Sequence, residues 1–146
     1  MKHLFLILFP VLFFSISDWH YNIEEAKQLA RKEHKHILLN FSGSDWCGPC
    51  IRMHKEIFED KAFEKMANME LVLVNADFPR MKKNQLAPGQ QEINNQMAEQ
   101  YNPKGRFPFT VLLNAEGKIL KEWDGFSNEK PQEFCNEVIA VVESDR

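Results

Sequence analysis

Cys47 and Cys50, separated by Gly48 and Pro49 and preceded by Trp46, are the residues of this chain best suited to chemistry. Two thiols this close can close a disulfide, hold a soft metal, or exchange electrons with another thiol pair. Spacing alone leaves all three open. The chain contains one further cysteine, Cys135, and three cysteines cannot build a stapling framework. A bridge spanning so few residues also removes little entropy from the unfolded chain. A scaffold bridge is therefore disfavoured. His54 lies one turn beyond Cys50 on a helix, so Cys47, Cys50 and His54 offer three metal ligands. A structural zinc site takes four, and no fourth is evident. Covalent haem needs a histidine directly after the second cysteine, where Ile51 stands.

The length of 146 residues suits one domain with an ordinary core. The formal charge of −3 is small and mixed, and Lys82-Lys83 is only a pair, which argues against nucleic acid as a partner. Met1-Lys2-His3 is a short basic start, Leu4 to Phe14 is apolar, and Ser15-Ile16-Ser17 supplies small residues before Asp18. This matches a secretory signal peptide over residues 1–17, leaving 18–146 as the mature domain. The stretch from Leu4 to Ile16 is shorter than the roughly 20 residues a spanning helix needs. An uncleaved N-terminal anchor is the alternative. Export would place the cysteines in an oxidising compartment, where a disulfide can persist.

The pair must be positioned by its neighbours. Asn22 to Lys35 carries Ile23, Ala26, Leu29 and Ala30 at helical spacing. His36 to Ser42 is an apolar run of the kind found in buried strands, and Gly43-Ser44 turns the chain. Pro49 suits the first turn of a helix that Ile51, Met53, Ile57, Phe58, Phe63 and Met66 continue, with an interruption near Asp60. Leu71 to Val74 is a second buried strand, so the order predicts a right-handed βαβ unit. Residues 78–90 read as a polar loop, either a solvated insertion or a partner-recognition segment, and Gln91 to Tyr101 as a helix. Phe109–Leu113 and Ile119–Trp123 flank Asn114-Ala-Glu-Gly117, a hairpin by its turn chemistry. Glu129 to Glu143 forms a last amphipathic helix with Cys135 beside its apolar stripe. Cys135 reads as core filler, with a regulatory or dimer-forming thiol as the alternative. Trp123 and the phenylalanines read as core.

This order of elements, together with Trp46-Cys-Gly-Pro-Cys50, resembles the thioredoxin superfamily over Ile23 to Val142. Arg106-Phe-Pro-Phe-Thr110 precedes the hairpin where that family carries a cis-proline, making Pro108 the candidate. Gly125 matches the glycine beside the family's active site. The resemblance implies an α/β thioredoxin fold, a central mixed sheet flanked by helices. Two departures stand out. Asn40 occupies the place of a buried aspartate, and Leu73 that of its lysine partner. The turn before Trp46 and the 78–90 loop are longer than in a minimal thioredoxin, which together with the signal peptide is similar to exported bacterial members.

The resemblance assigns Cys47 as nucleophile at the amino end of a helix, where unpaired N–H groups and the helix dipole favour a thiolate. A thiol lowered from about 8.5 to about 7 gains roughly 16-fold in thiolate at neutral pH. It loses about fivefold in intrinsic nucleophilicity, so the net gain in attack is about threefold. Proximity of a second thiol then counts for more. Cys50, deeper in the helix and less exposed, would resolve the mixed disulfide. Gly48 and Pro49 would tune ring closure, Trp46 would shield the pair and help bind substrate, and the backbone at Phe107 and Pro108 would dock an extended substrate. The expectation is a thiol–disulfide oxidoreductase that reduces protein disulfides, with no bound cofactor beyond the Cys47–Cys50 disulfide itself. Its partners would be protein disulfide or dithiol substrates and an upstream dithiol donor in the membrane. The expected location is the bacterial periplasm. A disulfide oxidase or isomerase is the rival direction, and a non-catalytic thiolate metal-binding module the rival class.

Overall fold

The computed structural model describes residues 18–146, so the expected signal segment lies outside the described residues. A five-stranded sheet in the order β1-β3-β2-β4-β5 forms the centre. Its strands are β1 (Trp19–His20), β2 (His36–Ser42), β3 (Leu71–Asp77), β4 (Phe109–Leu113) and β5 (Ile119–Asp124). β2 pairs parallel with β3 and antiparallel with β4, so it is flanked on both sides and buried along almost its whole length. That position explains its continuous apolar run, since neither face meets water. The mixed sheet with helices on both faces is the α/β thioredoxin fold expected from the order of elements.

Alternate residues of the strands feed two cores, as the period of two requires. Ile37, Leu39 and Phe41 pack with Val72, Val74 and Val111 under α1 (Ile23–Glu33) and α4 (Pro88–Tyr101). Leu38, Leu73 and Leu112 pack on the other face with Met53, Ile57, Phe63 and Phe134. Those residues come from α2 (Gly48–Met53), α3 (Lys61–Glu70), the π-helical turn His54–Phe58 between them, and α5 (Pro131–Asp145). The π turn and the Asp60 cap, which accepts the Ala62 N–H at 2.8 Å, break the helix after the cysteines where the sequence expects an interruption. Phe134 is fully buried among the rings of Phe58, Phe63 and Trp123.

Several boundaries differ from the sequence reading. α1 stops at Glu33 because His34 adopts a left-handed conformation, φ 55°, and its N–H closes on the Ala30 carbonyl. β3 runs to Asp77, three residues past the apolar stretch, because Asn75 and Asp77 continue the ladder with β2. The polar loop ends at Ala87 rather than residue 90, since Pro88 starts α4 at a position that needs no N–H. It also contains a 3₁₀ turn at Lys82–Asn84. α5 begins at Pro131 for the same reason as α4. The two-residue β1, paired parallel with β3 at Trp19–Leu73 and His20–Val74, is too short to leave a periodic signal. Trp123 packs against the second core as a half-buried ring, with its indole N–H donating to Glu137 at 2.9 Å.

Cys135 lies in the second core with 1% of its surface exposed. Burial first, and then the charge of Asp60, push its thiol from 9.0 up to about 11. The folded state therefore holds this proton more tightly than the unfolded chain. Its contribution is fully present below about pH 9 and is lost as pH rises towards about 11. Urea unfolding across this window should show stability falling more steeply for the native sequence than for Cys135→Ala; parallel declines would contradict the assignment.

Candidate active site

Strand register assembles the site. Ser42, the last residue of β2, pairs with Asp77, so Gly43 and Phe78 leave the sheet side by side. Phe41 pairs with Phe109 in the antiparallel direction, which puts Pro108 at the same edge. Phe109 pairs in turn with Asp124, so Gly125 falls next to Pro108, and its N–H donates to the Pro108 carbonyl at 2.9 Å. Gly125 has φ +82°, a conformation that suits glycine. The Phe107–Pro108 peptide bond is cis.

The chain turns at Gly43, whose carbonyl accepts the Cys47 N–H at 2.9 Å, and α2 starts at once. Cys47 is the N-cap of α2, and its Sγ accepts the Cys50 N–H at 3.3 Å. Pro49 occupies the first turn, as expected. Cys47 and Cys50 form a disulfide with their Cα atoms 5.2 Å apart. Gly48, Pro49 and Ile51 beside them are exposed. The expected difference in exposure between the cysteines is absent in this closed form: Cys47 is 5% exposed and Cys50 4%. Both cysteines are buried, and Cys47 Sγ lies at the first turn of α2 within reach of the Cys50 N–H.

Trp46 takes a more constrained position than a simple shield. Its indole N–H donates to the Phe78 carbonyl at 2.7 Å, and the Arg80 guanidinium stacks 3.6 Å from the ring centroid. A Cβ at Gly43 would sit 2.3 Å from the indole, so that glycine is required by the close approach. Phe107 lies edge-on to Trp46 at 5.5 Å and to Phe78 at 5.6 Å. The three rings form one aromatic ridge beside the cis bond.

Sequence reasoning missed the clasp that fixes this ridge. Asp45 accepts hydrogen bonds from the N–H groups of Arg80 and Met81 and from Asn84 Nδ2, each at 2.9 Å. The Arg80 N–H does most to hold the Asp45 carboxyl below its usual range. Asp77 accepts from the Ser44 N–H at 2.8 Å and the Ser44 hydroxyl at 2.5 Å. The turn before the motif and the loop after β3 are thus tied together by two carboxylates. Their partners lie more than thirty residues away in the chain, so no local pattern could have shown them.

Beneath α2 the interior is uncharged at both positions that depart from the thioredoxin pattern. Asn40 is buried and donates from Nδ2 to Thr110 Oγ1 at 2.9 Å, while Thr110 Oγ1 lies 3.9 Å from Met53 Sδ. Leu73 is buried in the same core. His54 turns away from the cysteines, between the rings of Trp19 and Phe58 and 3.5 Å from Glu59. Among the described residues no three histidine, cysteine or acidic side chains gather where they could hold a metal.

The comparisons with known proteins agree with this geometry. Residues 23–140 match the family described as thioredoxin-like domain. A solved structure titled DsbH oxidoreductase superposes with a TM-score of 0.78 at 30% identity, covering 98% of this chain and 95% of that one. The disulfide bond reductase DsbH of Chlamydia pneumoniae is 40% identical over 96 residues, 66% of this chain and 56% of that protein. The thioredoxin-related protein DsbJ of the same organism is 28% identical over 132 residues, 87% of this chain and 36% of that protein. The match thus spans about half or less of the length of these two curated relatives. With its paired cysteines capping a helix beside a cis-proline, and with most of its length matching one family, the chain belongs to the thioredoxin-like family.

Proposed function

We propose that this protein is a thiol–disulfide oxidoreductase that reduces disulfides in other proteins. The observation that carries the reading is the Cys47–Cys50 disulfide at the amino end of α2, at the sheet edge that also holds cis-Pro108. In the reduced form, the Cys47 thiolate attacks a substrate disulfide. A Cys47–substrate bond forms, and the displaced substrate sulfur leaves as a thiolate and takes up a proton. Cys50 then gives up its proton and attacks Cys47 Sγ. The ring closes, the second substrate sulfur departs, and two electrons have passed to the substrate. Backbone beside Phe107 and Pro108 docks the substrate in an extended form, and Trp46 walls one side.

The reducing direction is supported by the Cys-Gly-Pro-Cys sequence and by the similarity to a protein named as a disulfide bond reductase. No bound cofactor enters this cycle, since the electrons reside in the cysteine pair. An upstream dithiol must restore it, and a membrane donor facing the periplasm suits the reading of residues 1–17 as an export signal. No helix among the described residues is long and apolar enough to cross a membrane.

The two cysteines have separable roles. Cys50→Ser should accumulate a covalent adduct with a disulfide substrate, visible by mass spectrometry without reductant, whereas Cys47→Ser should give neither adduct nor turnover. Adducts on Cys50 in the Cys47→Ser protein would reverse the assignment. Among the described residues no carboxylate is buried to take the Cys50 proton in the resolving step, and the amide at residue 40 cannot accept it. In stopped flow, Asn40→Asp should speed that step by about tenfold or more, towards the roughly 100-fold that a well-positioned base supplies. An unchanged resolving rate would sink this part of the mechanism.

A further inference from the structure

The loop after β3 is more than a tether. Arg80, Lys82 and Lys83 are all exposed, and among the described residues none of them forms an ion pair. Other cations around the site are matched: Arg52 meets Glu56 and Asn128, and Arg106 meets Asp124 and Glu122. The carboxylates nearest the loop, Asp45 and Asp77, are half-buried and engaged with N–H and hydroxyl donors. A chain with a net charge of −3 therefore carries three cations without ion pairs on the loop that Asp45 clasps beside Trp46. Arg80 sits on Trp46, the residue before the nucleophile, and Met81 next to it is 49% exposed.

We propose that residues 80–83, held by Asp45, form a cationic wall that selects protein disulfides flanked by acidic side chains. The inference rests on the oxidoreductase reading and names its substrate class. An extended segment docked at Phe107 and Pro108 runs beside the aromatic ridge, so side chains next to its cysteine come near this wall. Acidic ones gain attraction and basic ones are repelled. Exposed charges act mainly on the rate of encounter, and their influence fades once salt shortens the screening distance. Asp45 is a positioning residue: it fixes the loop backbone and leaves the cations free to face the substrate.

The experiment uses three peptides, each with one internal disulfide and differing only in Glu, Gln or Lys beside the cysteines. The protein is first reduced with a dithiol and freed of excess. Each single turnover, in which the peptide disulfide becomes a dithiol and Cys47–Cys50 closes, is followed by tryptophan fluorescence. At low salt the Glu peptide should be reduced about fivefold or more faster than the Lys peptide, with the Gln peptide between them. This ratio should fall towards one as salt is raised. The triple variant Arg80→Glu, Lys82→Glu, Lys83→Glu should invert the order. Equal rates for the three peptides in the native protein at low salt, or a ratio insensitive to salt, would overturn the selection while leaving the oxidoreductase reading standing. Reduction of none of the peptides would overturn both.

Discussion

The site depends on β2 being paired on both sides. Because its ladder with β3 is parallel and its ladder with β4 antiparallel, one edge of the sheet receives the end of β2, the end of β3 and the start of β4 together. Gly43, Phe78, Pro108 and, through β5, Gly125 fall in a row there. A slip of one residue in any of these pairings would turn the buried side chains of that strand towards the opposite core. The two cores, filled by alternate residues of β2, therefore hold the position of the cysteines as firmly as any contact at the cysteines themselves.

Chemistry is then set by what surrounds the amino end of α2. The helix supplies N–H groups to the Cys47 sulfur, as the bond from the Cys50 N–H shows. Below it, Asn40, Thr110 and Met53 form a neutral chain of contacts. An ionised carboxylate at residue 40 would carry a desolvation cost, whereas the neutral amide donates one hydrogen bond to the Thr110 hydroxyl. Charge able to act on the pair is thus found at the helix end and on the rim, where Arg80 stacks on Trp46. The long turn before the motif and the long loop after β3 belong to one device, joined by Asp45 and Asp77.

The fold was legible because its central elements carry strong local signals. The apolar run of β2 matched to the residue, and the hairpin strands were right to within one residue at Trp123. Proline explained two of the misplaced boundaries, since Pro88 and Pro131 begin helices instead of merely interrupting a loop. The cysteine pair and the proline before the hairpin could be found because each sits in a short motif. Phe78, Arg80 and Asp45 could not. The first two meet the turn that holds Asp45 through tertiary contacts across more than thirty residues, and an aspartate in a turn looks the same whether it caps a helix or clamps a distant loop. Relative exposure of the two cysteines also escaped, because both are buried in the closed disulfide and their order along the helix does not separate them.

The reduction potential of the Cys47–Cys50 pair, equilibrated in the purified protein against a defined dithiol buffer, tests most directly whether the pair donates electrons. A value near the roughly −270 mV of thioredoxin is the predicted result. A value near the roughly −120 mV of a strong periplasmic oxidant would contradict it and make the pair a disulfide donor.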